Sequence, residues 1–348
     1  MLLIVNFKED FYLKLIKIYL EQKKWVYPMK ANRNRRKNIA VVAVGGNSLI
    51  VSEDKQTIPD QYEAAVQTVK RIVDIIELGW NVIITHGSGP QVGFILRRSE
   101  LASREISQVP MDYADADIQG AVGYMFQRAL HNEFTKRKIN RAPVTLVTQV
   151  LVDPNDQAFT NPVKPIGPQL DEETAKKRAS EHGWIVKKDA GRGWRRVVPS
   201  PEPKEILELE QIKQLVETGN VVIACGGGGI PVIKNEKNYL VGVEAVVDKD
   251  LASGMLATGI GADLFIVSTS VDQVALNFGM EDEKWLHQMH LTEAKSFYAE
   301  GQFDHGSMGP KVRSMIQYLE CGGKKGLITS PGNLYLAVQG KAGTVFTG

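Results

Sequence analysis

The sequence predicts a doubly wound α/β fold, with a mostly parallel sheet between two layers of helices and an inserted lid subdomain. Three observations lead to this prediction. Short runs rich in β-branched residues alternate along the chain with stretches of helical periodicity. The runs are apolar throughout rather than at every second position, which is typical of strands covered on both faces of a sheet. A Pro-rich and charged stretch at residues 151–200 then interrupts the alternation.

We predict strands where the apolar runs end at turn-forming residues. In chain order they cover residues 39–44, 81–85, 144–148, 221–225, 264–269 and 326–329. Between the first two, residues 61–79 place apolar side chains on one helical face and end at Gly79, a residue type common at helix C-termini. Residues 201–219 repeat this design and end at Gly219, so a second helix is predicted there.

Residues 151–200 are too long and too irregular for a tight connection between two elements. We therefore predict that they form an inserted subdomain or lid. Its basic residues Arg192, Arg195 and Arg196 are interpreted as a solvent-exposed face, with a phosphate-facing surface as the alternative.

The composition is that of an ordinary globular protein, with 43% hydrophobic and 24% charged residues. The formal net charge of +2 argues against a nucleic-acid binder by overall charge. Two cysteines, Cys225 and Cys321, make a disulfide framework implausible and indicate a reducing compartment. No apolar stretch reaches the roughly 20 residues that a membrane span needs. We therefore expect a cytoplasmic protein that binds neither nucleic acid nor a membrane.

Residues 1–37 are interpreted as an N-terminal extension of unknown role. Glu9, Asp10 and several lysines interrupt the apolar residues, and no small-residue cleavage site follows, so the segment is a poor signal peptide. Apolar residues recur at helical spacing within it, which leaves an amphipathic helix possible.

Glycines recur where predicted strands end. The first strand runs into Gly45-Gly46-Asn47, the second into residues 86–93, and the fourth into residues 226–231. In a parallel α/β sheet the carboxyl ends of the strands share one edge, and ligands bind there. Glycine lets an anion approach backbone N–H groups without a Cβ in the way. The junctions therefore indicate an anion site, although an ordinary turn accounts for the first of them taken alone.

The usual nucleotide, metal and hydrolase signatures are absent from the sequence. There is no G-x-x-x-x-G-K-[ST] loop, and GSGPQVG has the wrong spacing for a G-x-G-x-x-G dinucleotide fingerprint. The histidines are dispersed, and no C-x-x-C pair exists. No G-x-S-x-G elbow of a serine hydrolase appears.

Three lysines have unusual neighbours. Lys164 lies beside prolines in NPVKPIG, and Lys311 follows a Gly-Pro pair. Lys249 stands between Asp248 and Asp250, just ahead of an apolar helical stretch. Taken singly, each is more often a surface lysine. Together with the glycine junctions they predict a phosphoryl-transfer site, where a protein positions the reactants and neutralises charge without a covalent intermediate.

Several separated motifs resemble those of the carbamate kinases, a family of the amino-acid kinase superfamily. The resemblance covers roughly residues 38–348. The motifs are, in chain order, VVAVGGNSL, THGSGPQVG, VDPNDQAFTNPVKPIGP, GWRRVVPSPEPKEI, ACGGGGIPV, VVDKDLASGMLA and FDHGSMGPKV.

The resemblance implies an amino-acid kinase-like fold and the reversible reaction ATP + carbamate ⇌ ADP + carbamoyl phosphate, with Mg²⁺ and usually run toward ATP. It also implies a homodimer. We predict that residues 38–220 form the lobe for the small substrate, including the lid at about 151–200. Residues 221–348 are then predicted to form the nucleotide-binding lobe.

The resemblance further implies roles for individual residues. Lys164 matches the lid lysine, and Lys249 and Lys311 match the lysines around the phosphates. Asp250 matches the carboxylate that orients those lysines. The residues that match the loops for the small substrate and the transferred phosphoryl group are Gly45, Gly46, Asn47, Gly87, Ser88 and Gly89. The residues on the nucleotide side are Gly226, Gly227, Gly228, Ser268, Asp272, Met308 and Gly309. No metal ligand is assigned.

The chain departs from the family pattern at Ser88, where the family commonly has Asn, at Ser48, where it commonly has Ala, and in the segment TSPGNLYLAVQGKAGT near its C-terminal end. Ser88 keeps a hydroxyl donor but loses the second donor of an amide. Two alternatives to the carbamate kinase reaction stay open. One is a related kinase for another small carboxylate or carbamoyl compound, and the other is a non-catalytic nucleotide-binding regulator on the same fold.

Overall fold

A computed structural model of the protein describes residues 38–50, 55–189, 193–304 and 306–348, the side chains of Asn47, Ser48 and Asp189 excepted. These residues belong to one unit, residues 37–348. The predictions for residues 1–37 and for Arg192 lie outside the described residues. None of the described helices combines the length and the apolar character that crossing a bilayer requires.

Strands occur at all six predicted places and at several others. In chain order the strands are β1 (Ile39–Val44), β2 (Asn81–His86), β3 (Pro143–Thr145), β4 (Gln149–Val152), β5 (Lys164–Leu170), β6 (Val186–Asp189), β7 (Gly193–Val198), β8 (Pro203–Ile206), β9 (Val221–Ile223), β10 (Ile230–Lys234), β11 (Leu240–Gly242), β12 (Leu264–Ser268), β13 (Val274–Leu276), β14 (Lys284–Leu286), β15 (Gln288–His290), β16 (Lys325–Thr329) and β17 (Thr344–Thr347).

Helices connect most of the strands of the central sheet. In chain order they are α1 (Ile58–Glu77), α2 (Gly89–Ala102), α3 (Met111–Arg137), α4 (Glu172–His182), α5 (Leu209–Glu217), α6 (Lys249–Ile260), α7 (Leu291–Ala299), α8 (Met308–Glu320) and α9 (Leu334–Val338).

The central sheet has the strand order β15-β17-β16-β12-β1-β2-β9-β3. Its neighbours pair in parallel, except that β16 and β17 are antiparallel. The predicted mostly parallel sheet is therefore confirmed. Strand β1 lies between β12 and β2, so the chain leaves β1 in the middle of the carboxyl edge.

Both faces of the sheet are covered, as the apolar runs predict. Along β1, Val42 and Val44 belong to one apolar core and Val41 and Ala43 to the other, and all four side chains are fully buried. This alternation follows from the two-residue period of a strand. Helices α1 and α3 pack on the first face, and α6 and α8 pack on the second. The doubly wound prediction is thus confirmed.

The strand predicted at residues 144–148 is wrong in its bounds, because the chain leaves the central sheet after Thr145. The reason is a side chain of α3. Gln119 Oε1 accepts from Thr148 N at 2.7 Å, and Gln119 Nε2 donates to Thr148 O at 3.0 Å. The amide thereby binds the backbone groups that a longer strand would pair, and β4 starts a second sheet.

The helix predicted at residues 201–219 is wrong in its first half. Residues 203–206 form β8, which pairs antiparallel with β4, and α5 begins only at Leu209. Proline disfavours the helical conformation in the residue before it, and Pro201 and Pro203 both lie in this stretch.

Strands β5, β6 and β7 form a sheet of their own, with the order β5-β7-β6 and antiparallel pairing. Helix α4 connects its first two strands along the chain. The predicted lid at 151–200 thus contains this small sheet, together with the end of β4, which belongs to the separate sheet β11-β10-β4-β8.

The solvent-exposed interpretation is wrong for two arginines of β7. Arg195 Nη2 donates to Gly167 O at 2.8 Å. Arg196 pairs with Glu100 at 3.3 Å and stands 5.0 Å from the ring centroid of Trp184. A carboxylate and an aromatic face compensate for the water that a half-buried guanidinium loses.

Candidate active site

The carboxyl ends of β1 and β2 bring the first two glycine junctions into direct contact. The strands pair with Val44 opposite His86, and Gly87 N donates to Val44 O at 2.9 Å. A Cβ placed on Gly46 would lie 2.9 Å from the carbonyl carbon of Gly87, and one placed on Gly87 would lie 2.7 Å from Gly46 N. Each glycine is therefore required by the close approach of the other backbone, which an ordinary turn would not demand.

Helix α6 begins beside this junction. Its N-cap residue Asp248 accepts hydrogen bonds from Asp250 N at 2.8 Å and from Leu251 N at 3.3 Å. Its first residue, Lys249, passes so close to Gly87 that a Cβ on this glycine would lie 3.0 Å from Lys249 Cδ. The first turn of a helix carries unpaired N–H groups and the positive end of the helix dipole, which favours an anion there.

One carboxylate joins two of the predicted lysines. Asp250 forms an ion pair with Lys249, and its other oxygen accepts from Lys311 Nζ at 3.2 Å. Lys311 Nζ also donates to Ser307 O at 3.1 Å. The side chains of Asp250, Lys249 and Lys311 are only 5%, 12% and 14% exposed. The two ammonium groups are therefore held in fixed positions, largely away from water.

The third predicted lysine reaches the same helix from the small sheet. Lys164, the first residue of β5, forms an ion pair with Asp248. The positive charge of Arg195 lies near enough to act on the same lysine. The structure therefore brings all four predicted catalytic residues, Lys164, Lys249, Asp250 and Lys311, to the N-terminus of α6.

The charges of this cluster are unequal, because three lysines face two aspartates. Burial lowers the pKa of Lys249 more than the charge of Asp250 raises it, and Lys311 lowers it further. Burial also acts to lower the pKa of Lys164, but the charge and hydrogen bond of Asp248 outweigh it and raise this pKa. Burial acts to raise the pKa of Asp250, yet the two neighbouring lysines hold it well below its usual range. One positive charge remains for an anion.

A buried hydroxyl pair fixes the backbone beneath the lysines. Thr85 Oγ1 and Ser253 Oγ share a hydrogen bond of 2.6 Å between β2 and α6. Ser253 Oγ also donates to Lys249 O. The start of α6 is thereby tied to the strand that ends at Gly87.

The third glycine junction lies against the second. Residues 226–228 form a tight turn in which Gly227 has a φ of +70°. A Cβ on Gly227 would lie 2.6 Å from Ser88 Oγ, and one on Gly226 would lie 2.5 Å from His86 Nε2. The geometry thus places Gly226 and Gly227 beside the loop predicted for the small substrate, whereas Gly228 lies against the backbone of Val247.

Two residues predicted for the nucleotide lie at or just beyond the end of β12. Ser268 ends this strand opposite Val44 and is fully buried. Asp272 accepts from Thr329 Oγ1 at 2.9 Å and from Ser330 Oγ at 3.2 Å. The ends of β12 and β16 therefore hold this carboxylate beside the same edge of the sheet.

The other predicted residues lie at element boundaries. Met308 and Gly309 begin α8, where Gly309 N donates to Asp304 O at 2.7 Å, and this start places Lys311 toward Asp250. Gly89 is the first residue of α2. Gly45 and Asn47 flank Gly46 in the turn after β1.

The part of the chain that the structure describes contains no group of three or more His, Cys, Asp or Glu residues able to hold a metal ion. The two site carboxylates, Asp248 and Asp250, are already paired with lysines. A divalent cation would therefore need oxygen ligands from a bound substrate.

Three residues of this region carry no role from the sequence. Asp248 caps α6, and an Asp directly before an apolar helical run is a recognisable capping pattern. His86 is buried, which lowers its pKa to about 4. Asp115 is an acid on the apolar face that Ile118 and Val122 mark in α3, so periodicity alone flags it as unusual.

Comparison with known proteins finds relatives that match most of the chain. The model of the amino acid kinase family matches residues 38–330. The chain is 49% identical over 309 residues to a carbamate kinase from Pyrococcus horikoshii, covering 88% of this chain and 98% of that protein. It is 46% identical over 309 residues to the carbamate kinase-like protein YqeA of Escherichia coli, covering 88% and 97%.

Solved structures of related proteins also superpose on most of the chain. The carbamate kinase from Giardia lamblia bound to citric acid superposes with a TM-score of 0.84 at 38% identity, covering 90% of this chain and 99% of that chain. The same enzyme bound to AMP-PNP superposes with a TM-score of 0.81 at 39% identity and equal coverage.

Proposed function

The chain belongs to the amino acid kinase family, and within it to the carbamate kinases, and we propose that it transfers a phosphoryl group between carbamoyl phosphate and ADP. The reaction is ATP + carbamate ⇌ ADP + carbamoyl phosphate, run toward ATP. The observation that carries the proposal is the Lys249–Asp250–Lys311 group at the start of α6, directly against the contact of Gly46 with Gly87.

In the direction of ATP synthesis, an oxygen of the ADP β-phosphate attacks the phosphorus of carbamoyl phosphate, and carbamate leaves with the bridging oxygen. The moving phosphoryl group is loosely bonded and negatively charged, so the protein aligns the reactants and neutralises charge. Lys249 and Lys311 supply compact positive charges, and Asp250 holds both in place. Backbone N–H groups at the glycine junction supply further donors.

The two substrates are proposed to bind at different loops along the carboxyl edge of the sheet. The carbamoyl end lies against the loops after β1, β2 and β9. The residues of these loops are Gly45, Gly46, Asn47, Gly87, Ser88, Gly89, Gly226, Gly227 and Gly228. The nucleotide lies against Ser268 and Asp272 after β12 and against Met308 and Gly309 at the start of α8. The two lobes are residues 38–220 and 221–348 in this proposal, and the turn at 226–228 contacts the carbamoyl end of the substrate.

Mg²⁺ enters with the nucleotide under this proposal. The ion usually keeps several waters and takes one or two carboxylates together with phosphate oxygens. The described residues fit that mode, because the carboxylates of Asp248 and Asp250 lie at the start of α6, where the phosphates are proposed to bind. When bound, Mg²⁺ would neutralise charge on the nucleotide phosphates.

Residues 151–200 act as a lid in this mechanism. The ion pair of Lys164 with Asp248 spans from the small sheet to the start of α6. On binding of substrate, Lys164 moves from Asp248 to a phosphoryl oxygen, so the lid closes as the third lysine arrives.

We also propose, from the family resemblance, that the protein is a cytoplasmic homodimer. Sedimentation equilibrium of the purified chain tests the dimer, and a mass of one chain at micromolar concentration would reject it.

The proposed reaction is tested by coupled detection of ATP formed from ADP, carbamoyl phosphate and Mg²⁺. We expect steady turnover that is abolished by chelation of Mg²⁺. Lys188 is an exposed lysine of the small sheet. Lys188→Ala is therefore the control for alanine variants of the site lysines, and it should retain turnover. A folded wild-type protein with no turnover at saturating substrates would reject the proposal and favour a nucleotide-binding regulator.

A further inference from the structure

Asp115 is a buried acid without a partner. Its side chain lies in α3, and the residue is 2% exposed. Neither carboxyl oxygen has a hydrogen-bond partner among the described residues. A buried polar group usually finds a partner, because leaving it unpaired costs free energy. An exception beside a binding site therefore calls for a ligand.

Asp115 lies beside the loops proposed to bind the carbamoyl group. Gln119, one helical turn further along α3, donates from Nε2 to Gly226 O at 3.1 Å, so this face of the helix contacts the third glycine turn. A Cβ placed on Gly227 would lie 3.8 Å from Asp115 Oδ1 and 2.6 Å from Ser88 Oγ. The carboxyl group and the hydroxyl therefore border the same small space at Gly227.

The surroundings of Asp115 favour its neutral form. Burial raises its pKa well above the usual range, and the negative charges of Asp112 and Glu244 raise it further. A neutral carboxyl group retains a carbonyl oxygen that accepts hydrogen bonds and gains one O–H donor. It can therefore bind an uncharged polar group without bringing a second negative charge to a phosphoryl-transfer site.

Among the site residues considered so far, none is assigned as the hydrogen-bond acceptor for the amino group of the proposed substrate. The lysines and the backbone N–H groups of the site are all donors, which suits the oxygens of carbamoyl phosphate. The amino group of the carbamoyl moiety is itself a donor and requires an acceptor. Asp115 offers two buried carboxyl oxygens that have no hydrogen-bond partner among the described residues, and it lies beside the loops proposed to bind the carbamoyl group.

We propose that Asp115 accepts a hydrogen bond from the amino group of carbamoyl phosphate or carbamate. Together with Ser88 it selects molecules that carry N–H donors at that end. This inference rests on the proposed function, because it assigns the substrate recognition of the same site. A site built to bind an N–H group rejects an analogue that lacks it, since its own polar groups are then left unpaired.

Carbamoyl phosphate and acetyl phosphate separate this role from a structural one. The two differ in a single group, an amino group against a methyl group of similar size. The measured quantity is kcat/KM for each acyl phosphate with ADP. We expect the wild-type protein to prefer carbamoyl phosphate. Asp115→Ala should reduce that preference at least about 10-fold, by loss of kcat/KM for carbamoyl phosphate with little change for acetyl phosphate.

Two further variants serve as controls. Asp115→Asn keeps a carbonyl oxygen in nearly the same place and should retain most of the preference. Asp117 is exposed on the same helix, and Asp117→Ala should leave both values unchanged. The dissociation constant for ADP reports folding of every variant and should stay within about 3-fold of wild type.

The outcomes distinguish the two proposals. A wild-type protein that makes no ATP from carbamoyl phosphate overturns the proposed function and this inference with it. A wild-type protein that is active, with Asp115→Ala unchanged or equally reduced on both acyl phosphates, overturns the inference alone. A reduced preference in Asp115→Ala that Asp115→Asn largely restores supports it.

Discussion

Lys164 of the small sheet is paired with Asp248, the residue that caps helix α6. The two residues are far apart in sequence, and their contact brings the Pro-rich region onto the phosphate-facing end of a core helix. The carboxylate thus has two tasks, because it holds the helix N-terminus through one oxygen and the lysine through the other.

Replacing Lys164 should separate binding from turnover. If this lysine meets the moving phosphoryl group only when the lid closes, Lys164→Ala loses mainly transition-state stabilisation. We expect kcat to fall about 100-fold, the order seen when one placed donor is removed. The dissociation constant for ADP, measured by calorimetry, should change little. A collapse of ADP binding with normal turnover of the bound enzyme would instead place Lys164 in the nucleotide site.

The two lysines that share Asp250 should matter more for rate than for affinity. We expect Lys249→Ala and Lys311→Ala each to lower kcat by about 100- to 1000-fold or more. Lys→Arg should restore little, because a planar guanidinium does not fit where a compact ammonium group is held. Steady-state kinetics on each variant, beside circular dichroism, provides the test. Near-normal kcat in either alanine variant would remove that lysine from the mechanism.

Gly46 should tolerate no side chain. A Cβ there would meet the backbone of Gly87 at 2.9 Å, so even Gly46→Ala forces the two strand ends apart. We expect loss of activity and a lower Tm. Gly120, an exposed glycine within α3 that has open space around it, is the matched control. Gly120→Ala should keep full activity and gain about 0.5–1 kcal/mol of stability from helix propensity. An active, fully stable Gly46→Ala would show that the junction is only a turn.

His86 should make the protein less stable in mild acid. Burial lowers its pKa from 6.5 to about 4, so the folded protein keeps it neutral while the unfolded chain takes up a proton. Stability is therefore complete above pH 6.5 and declines as the pH falls toward 4. Between pH 7 and pH 5 this group alone should cost about 2 kcal/mol. Urea unfolding of wild type and His86→Gln at both pH values isolates the effect. An equal change in unfolding free energy between pH 7 and pH 5 in the two proteins would contradict it.

The local pattern of the chain predicts its elements well where backbone and burial act together. The runs at 39–44, 81–85 and 264–269 are strands within one residue at either end, because a short apolar run rich in β-branched residues suits a strand buried on both faces. The prediction at 144–148 is wrong because one distant side chain, Gln119, binds the backbone of Thr148. No property of residues 144–148 contains that information.

The predicted site divides in the same way. Motif resemblance predicts the lysines, yet it does not predict that Asp248 is the partner of Lys164. It assigns Gly226, Gly227 and Gly228 to the nucleotide, and it does not predict that Gly226 lies against His86, Gly227 against Ser88 and Gly228 against Val247. Residues at strand ends can be recognised in sequence, but their neighbours depend on the order of strands in the sheet.

The sequence by itself determined the α/β class, the glycine junctions and the lysines, because these follow from local periodicity, from backbone freedom and from the charge of single residues. Only the tertiary structure decided which of them meet. Strand order β12-β1-β2-β9 brings the loops after four strands to one edge, and the packing of α3 carries Asp115 to that edge as well. Contacts of this kind arise between residues far apart along the chain, so their geometry is set by packing and not by any local pattern.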